Sequence, residues 1–245
     1  MKVYFLTRKR LLVGMLFLAV LSSFLIISFG YFHKPSQASR LKEPVYQGNS
    51  GQKAVAITVN VDWGEEFLPD MLKNFKQYQA RVTFFVTGSW AEKNPELLKT
   101  MAQEGHSIQN HGYKHVHFAG LAPDQAAQQI KKAEDVIFNI TGKRSQFFAS
   151  PYGEQNRQIL QGVQSLNYDL IMWSVDTIDW QRPSPETIIK RVMNKVHNDA
   201  IILMHPTEPT SKALPELLKQ LQDQGYKMVP IEEIVITPGE KAANQ

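Results

Sequence analysis

From about residue 54 onward, the apolar positions of this chain fall into two alternating rhythms. Short β-branched runs read as buried strands at residues 54–59 (AVAITV), 82–86 (VTFFV), 106–110, 146–149, 170–174 and 200–204, with a last one around Met228. Between them the apolar residues recur at helical spacing. The first such stretch carries Phe67, Met71, Leu72, Phe75 and Tyr78; others cover 95–104, 123–140, 155–166, 185–196 and 215–224. Pro95 opens one of them and Gly105 ends it. Proline lacks the N–H that a first helical residue leaves unpaired, and glycine accepts the left-handed backbone of a helix end. This alternation predicts an α/β fold, a parallel sheet covered by helices. An incomplete or distorted (β/α) barrel and an open doubly wound sheet fit the spacing equally.

The N-terminal end follows another rule. Lys2, Arg8, Lys9 and Arg10 precede an uncharged run over 11–32 rich in Leu, Phe, Ile and Val. As a helix this run spans roughly 33 Å, enough to cross a bilayer core. The basic flank at 1–10 places the N-terminus in the cytoplasm and the rest of the chain outside the cell membrane. A cleaved signal peptide starts the same way. Its apolar stretch is usually shorter and ends in a small-residue site, for which Gln37-Ala38-Ser39 is a weak candidate. The expectation is therefore a single transmembrane signal-anchor. A polar linker at 33–52, one domain over 53–236 and a polar tail at 237–245 complete the expected organisation.

Composition adds a few limits. The chain has no cysteine, which excludes thiolate catalysis and cysteine-ligated zinc. Its net charge is +4, part of it in the cytoplasmic flank, so nucleic acid is not an expected partner.

Chemistry gathers where the predicted strands end. In order come Asn60-Val61-Asp62-Trp63-Gly64-Glu65-Glu66, then Asn110-His111-Gly112-Tyr113-Lys114-His115, then Ser150-Pro151-Tyr152-Gly153, then Asp176-Thr177-Ile178-Asp179-Trp180, and last Met204-His205-Pro206. In a barrel these ends converge on one face. His111 and His115, at i and i+4, project to one side and can chelate one ion; Asp62 is the natural third ligand. A His-His-Asp set suits zinc, cobalt or a similar divalent cation with positions left for water and substrate. His205 has an ordinary pKa near neutrality and suits a general acid, with Asp179 or Asp176 holding its ring.

This set resembles the polysaccharide deacetylases of the NodB-homology, carbohydrate esterase 4-like type, over roughly residues 53–235. The family's His-[Ser/Thr]-x-x-His is similar to residues 111–115, and its Gly-His-Glu-Ile-Gly-Asn to residues 105–110. Its Arg-Pro-Pro-Tyr-Gly resembles residues 149–153, and Asp-x-x-Asp-Trp and Leu-x-His are intact at 176–180 and 203–205. The resemblance implies a distorted (β/α) barrel and metal-dependent removal of acetyl groups from N-acetylated cell-wall glycan. It implies an oxyanion contact from the Tyr152 backbone N–H, an acid in His205 supported by Asp176 and Asp179, and a groove lined by Trp63, Trp180 and Leu203.

Two departures qualify it. The family's Thr-Phe-Asp-Asp-Gly supplies the catalytic base and then a metal ligand. Here residues 58–64 read Thr-Val-Asn-Val-Asp-Trp-Gly, so Asn60 stands at the base position. One inserted residue brings Asp62 to the ligand position; without it Val61 falls there. A carboxamide cannot accept a proton as a base does. Ala149 stands where the family has the Arg that steadies the base. Losing both is charge-neutral, whereas an Arg left alone in a buried site is costly. Cell-wall and sporulation-type relatives with a Trp-Gly-Glu variant of the first motif look closest. Three functions fit: a weak or atypical glycan N-deacetylase, a catalytically inactive glycan-binding or scaffold module, and a metal hydrolase of another small amide or ester.

Overall fold

The computed structural model describes residues 42–236. Within them a parallel sheet is built from β1 (Ala54–Val61), β2 (Thr83–Val86), β3 (Ser107–Asn110), β4 (Phe147–Ala149), β5 (Asp169–Ile171), β6 (Val175–Asp176), β7 (Ala200–Met204) and β8 (Lys227–Met228). The spatial order is β5-β4-β3-β2-β1-β7-β6, with β8 paired to the start of β1. Every ladder is parallel. Among the described residues β5 and β6 share no ladder, so the curled sheet is an incomplete barrel rather than a closed one.

The period-two alternation of the strands sorts their side chains onto two faces. Val55, Ile57, Val59 and Val61 of β1 join Phe84, Val86, Ile202 and Met204 in the large core beneath the helices. Ala54 and Ala56 face the other way, into a smaller core with Phe85, Phe147, Ala149, Ile171, Ile201, Ile231 and Ile234. Small residues on the inner side of β1 leave room for Phe85 and for the chain returning at 231–235. Asn60 falls on that inner side.

Helices α1 (Leu68–Gln77), α2 (Gly88–Lys93), α3 (Pro95–Gln103), α4 (Pro123–Thr141), α5 (Arg157–Ser165), α6 (Pro185–Met193) and α7 (Glu208–Asp223) provide the outer cover. α4 ends as its sequence predicts, on Gly142 in the left-handed region at φ 71°. Other elements differ from expectation. α7 begins seven residues before Pro215: the Thr207 side chain caps it by accepting the Thr210 N–H, and Pro215 lies inside it. Of the run 170–174 only the first two residues belong to a strand, β5, and β6 begins just past it, because Met172 pairs instead with Val45 and Ser174 with Ile201.

Part of the expected linker also belongs to the domain. Val45 bridges Ile171 in parallel and Gln47 bridges Ala200 in antiparallel fashion, so this strap spans the open side of the sheet. The Lys42 ammonium donates to Asp169 at 2.8 Å. Backbone pairing, invisible to apolar periodicity, holds residues that composition assigns to a tether. The predicted span at 11–32 lies outside the described residues; among those described, no helix is long and apolar enough to cross a membrane.

His106 precedes β3 at the opposite end of the sheet from the strand-end motifs. It is buried edge-on against Phe75 and Phe84, with ring centroids 5.7 and 5.4 Å away, and its Nδ1 accepts the Val82 N–H at 3.2 Å. Burial lowers its pKa from 6.5 to about 4, so the ring is neutral.

Candidate active site

The C-terminal ends of the strands surround a cleft of about 440 Å³ lined by Asn60, Trp63, His111, His115, Tyr152, Gly153, Trp173, Asp176, Trp180, Leu203 and His205. Most of the candidates read from sequence meet here. Asp62 and Asp179 do not form its walls, for different reasons.

Asp179 is completely buried behind His205. Its Oδ1 accepts from His205 Nδ1 at 2.8 Å, while Oδ2 accepts the His205 N–H and the Thr210 hydroxyl, both at 2.6 Å. Three donors around one carboxylate fix the imidazole with Nδ1 protonated and Nε2 turned away from Asp179. Asp176 is tied locally instead, accepting the Ile178 N–H at 2.8 Å. Ile178 itself sits at φ 52°, a strained turn that carries the chain from Asp176 to the buried Asp179.

On the opposite wall, His111 is buried and its Nδ1 donates to the Ala149 carbonyl at 2.7 Å. That bond leaves the Nε2 lone pair free. Burial, reinforced by the neighbouring His115, lowers the His111 pKa to about 3, so the ring is a neutral ligand type. The rings of His111 and His115 lie 5.2 Å apart, centroid to centroid. Burial also holds His115 below its ordinary value, against the pull of Asp62 in the other direction. Asp62 gives one oxygen to the Thr87 hydroxyl at 2.7 Å, and Thr87 in turn caps α2.

Among the described residues no three His, Cys, Asp or Glu side chains gather as a ready metal cage. The arrangement is therefore a pair of neutral imidazoles with a carboxylate near the second. Its donor chemistry fits a divalent ion of the zinc type, with Asp62 free to give its other oxygen. Val61 is buried in the outer core, whereas Asp62 is half-buried beside the cleft.

Asn60 is buried in the cleft wall, and its Oδ1 has no hydrogen-bond donor among the described residues. Glu65 and Glu66, which could replace a missing base, are exposed and do not line the cleft. Ala149 is buried and offers its carbonyl to His111.

Tyr152 adopts φ 59°, ψ 9° in the turn after β4, and among the described residues its N–H meets no backbone acceptor. The next residue must be glycine: a Cβ on Gly153, at φ 65°, would lie 2.6 Å from the Trp173 ring. Trp63 lies parallel to His205 at 6.3 Å, and Trp180 is 58% exposed on the rim. Sequence reasoning did not single out Trp173, Thr87, Thr210, His117 or Glu154. The one available signal was the repeat of His at 115 and 117; the others depend on packing between distant segments.

Fold and strand-end site together define a deacetylase-like α/β half-barrel. A family model described as polysaccharide deacetylase matches residues 47–171. The chain belongs to the polysaccharide deacetylase family. It is 38% identical over 193 residues to the uncharacterized protein YlxY of Bacillus subtilis, covering 79% of this chain and 60% of that protein. It is 32% identical over 201 residues to a peptidoglycan-N-acetylglucosamine deacetylase of Bacillus cereus, covering 80% of this chain and 73% of the relative. A crystal structure of a CE4 family pseudoenzyme from Bacillus anthracis superposes with a TM-score of 0.76 at 36% identity, over 78% of this chain and 68% of the other. A mutant of that pseudoenzyme is described as having restored enzymatic activity.

Proposed function

We propose that this protein is a membrane-anchored, extracytoplasmic deacetylase-like protein that binds N-acetylated cell-wall glycan of the peptidoglycan type and hydrolyses its N-acetyl groups poorly. Asn60 in the cleft wall carries this reading: an amide stands where a proton acceptor is required. The anchor rests on the apolar run at 11–32 and its basic flank.

In the proposed reaction the glycan lies across Trp63 and Trp180, with the acetyl methyl against Leu203. His111, His115 and Asp62 would hold a divalent cation such as zinc or cobalt, whose Lewis acidity draws charge from the acetyl carbonyl and acidifies water. The Tyr152 N–H donates to the oxygen that gains negative charge. His205, held by Asp179, delivers a proton to the departing amine. Proton removal from the attacking water is the step without a residue. General-base help is worth roughly 10²–10⁴-fold, so that is the scale of the deficit.

The test is acetate release from N-acetylglucosamine oligomers and peptidoglycan by the wild type and by Asn60→Asp with Ala149→Arg. The expected result is slow or absent release by the wild type and a gain of at least about tenfold in the double variant. Fast wild-type release that survives Asn60→Ala would refute the base assignment. A second reading, a non-catalytic glycan-binding module, is favoured by the pseudoenzyme relative. It predicts glycan retention by the wild type with no acetate released.

A further inference from the structure

His111 and His115 are held in unequal ways. His111 is fixed by its hydrogen bond to the Ala149 carbonyl. The His115 imidazole bonds to no other described side chain and is only partly buried. Its ring bonds to its own backbone and meets two rings edge-on, His111 at 5.2 Å and 60° and, closer, Tyr152 at 4.5 Å and 71°. Tyr152 is itself poorly anchored: it is 58% exposed and sits in the left-handed region, which is unfavourable for a non-glycine residue. A neighbour on its other side would hold the ring in place.

His117 does so. Its ring stacks on Tyr152 at 4.0 Å and 13°. His117 Nδ1 contacts Glu154 Oε1 at 2.6 Å, and Glu154 Oε2 accepts the Ala119 N–H at 2.7 Å. The Asn156 amide closes the same seam by donating to the Ala119 carbonyl at 3.2 Å. Burial alone would raise the Glu154 carboxyl, yet the Ala119 N–H and His117 hold it below its ordinary value. His117 is largely exposed, so as an ion pair this contact contributes little stability. Its contribution is geometric: the segment 115–119 is closed onto the segment 152–156, with Tyr152 clamped between two imidazoles.

We propose that His117 and Glu154 are positioning residues for a divalent cation held by His111 and His115, acting through the stack on Tyr152. This rests on the metal reading proposed above. Groups that orient a ligand without touching the ion alter its affinity about 10- to 100-fold.

The experiment is a zinc titration of the metal-stripped full-length protein at one fixed pH, alongside thermal unfolding without metal. Glu154→Gln and His117→Ala are expected to weaken zinc binding about tenfold, and His117→Phe, which keeps a stacking ring, to weaken it less. Melting temperatures should move by no more than about 2 °C. His117→Ala removes no negative charge, so equal losses in it and Glu154→Gln assign the effect to geometry. His111→Ala separates the two proposals. If it binds zinc as the wild type does, the metal reading fails and the clamp with it. If it abolishes binding while Glu154→Gln and His117→Ala stay within twofold of wild type, the clamp alone is overturned. Lower melting temperatures with unchanged affinity overturn it too, since they show a merely structural contact.

Discussion

His106 makes the stability of this domain depend on pH in a window that can be stated in advance. Its folded-state pKa is lowered by burial to about 4, while the unfolded chain keeps a value near 6.5. Above pH 6.5 the ring is neutral in both states and its contribution is whole. As pH falls below 6.5 the unfolded state takes up a proton that the folded state refuses, and stability drops until pH 4, where the folded ring also protonates. The full loss is about 3 kcal/mol, and about 2 kcal/mol of it has gone by pH 5. With a urea slope of about 2 kcal/mol/M, the midpoint should fall by roughly 1 M between pH 7 and pH 5 from this group alone. His106→Gln tests it, because the amide oxygen can still accept the Val82 N–H and does not titrate. The variant starts weaker at pH 7, having lost packing against Phe75 and Phe84, but its midpoint should fall by about 1 M less than wild type over the same interval. Parallel losses in the two proteins would refute the buried-neutral account of His106.

Two further outcomes follow from the cleft. A Cβ on Gly64, at φ 82°, would lie 2.2 Å from the Pro206 carbonyl oxygen, so the turn after β1 and the loop after His205 touch backbone to backbone. Gly64→Ala should cost about 2–4 kcal/mol and lower the melting temperature by roughly 5–10 °C in calorimetry; an unchanged transition would show that these loops do not need each other. Trp180→Ala removes a ring that is 58% exposed on the cleft rim. It should weaken binding of N-acetylglucosamine oligomers about three- to tenfold in calorimetric titration with no change in melting temperature. Unaltered affinity would remove Trp180 from the glycan surface.

Local chemistry made the long elements legible. The buried apolar runs of β1 and β7 and the punctuation of α4 by Pro123 and Gly142 sit where periodicity places them. Elements that depend on partners did not show. α2 has only six residues, too few for a helical period, and exists because Thr87 accepts the Trp90 N–H. Pro215 imitates a helix start, whereas the operative signal was Thr207 followed by Pro209, about two turns earlier. The strap at Val45 and Gln47 has no pattern of its own, because its bonds are all from backbone to distant backbone. In the cleft, residue types at strand ends identified the walls, since parallel strands deliver their ends to one rim. What could not be read was orientation. Which of Val61 and Asp62 is packed into the core was a question of one residue of register, and a shift of one flips a side chain to the other face.

The two sides of the cleft differ in how strongly each is determined, and this bears on what the Asn60 substitution has changed. The acid side is over-determined: Asp179 is buried beneath three donors, and Thr210 is held to both Asp179 and Thr207. Removing any one of these leaves a buried charge or donor without its partner, at about 1–3 kcal/mol each. The base side is the reverse. The buried Asn60 oxygen has no donor among the described residues. A buried acceptor left alone carries a similar penalty, so this wall gains stability if the Asn60 amide turns its oxygen toward the cleft and accepts from a ligand hydroxyl or N–H there. An aspartate at the same place would accept that hydrogen bond and also take the proton. Asparagine retains the first ability and lacks the second. On the proposed reading, asparagine at this position therefore separates recognition from proton transfer, and glycan binding is expected to persist while acetate release falters.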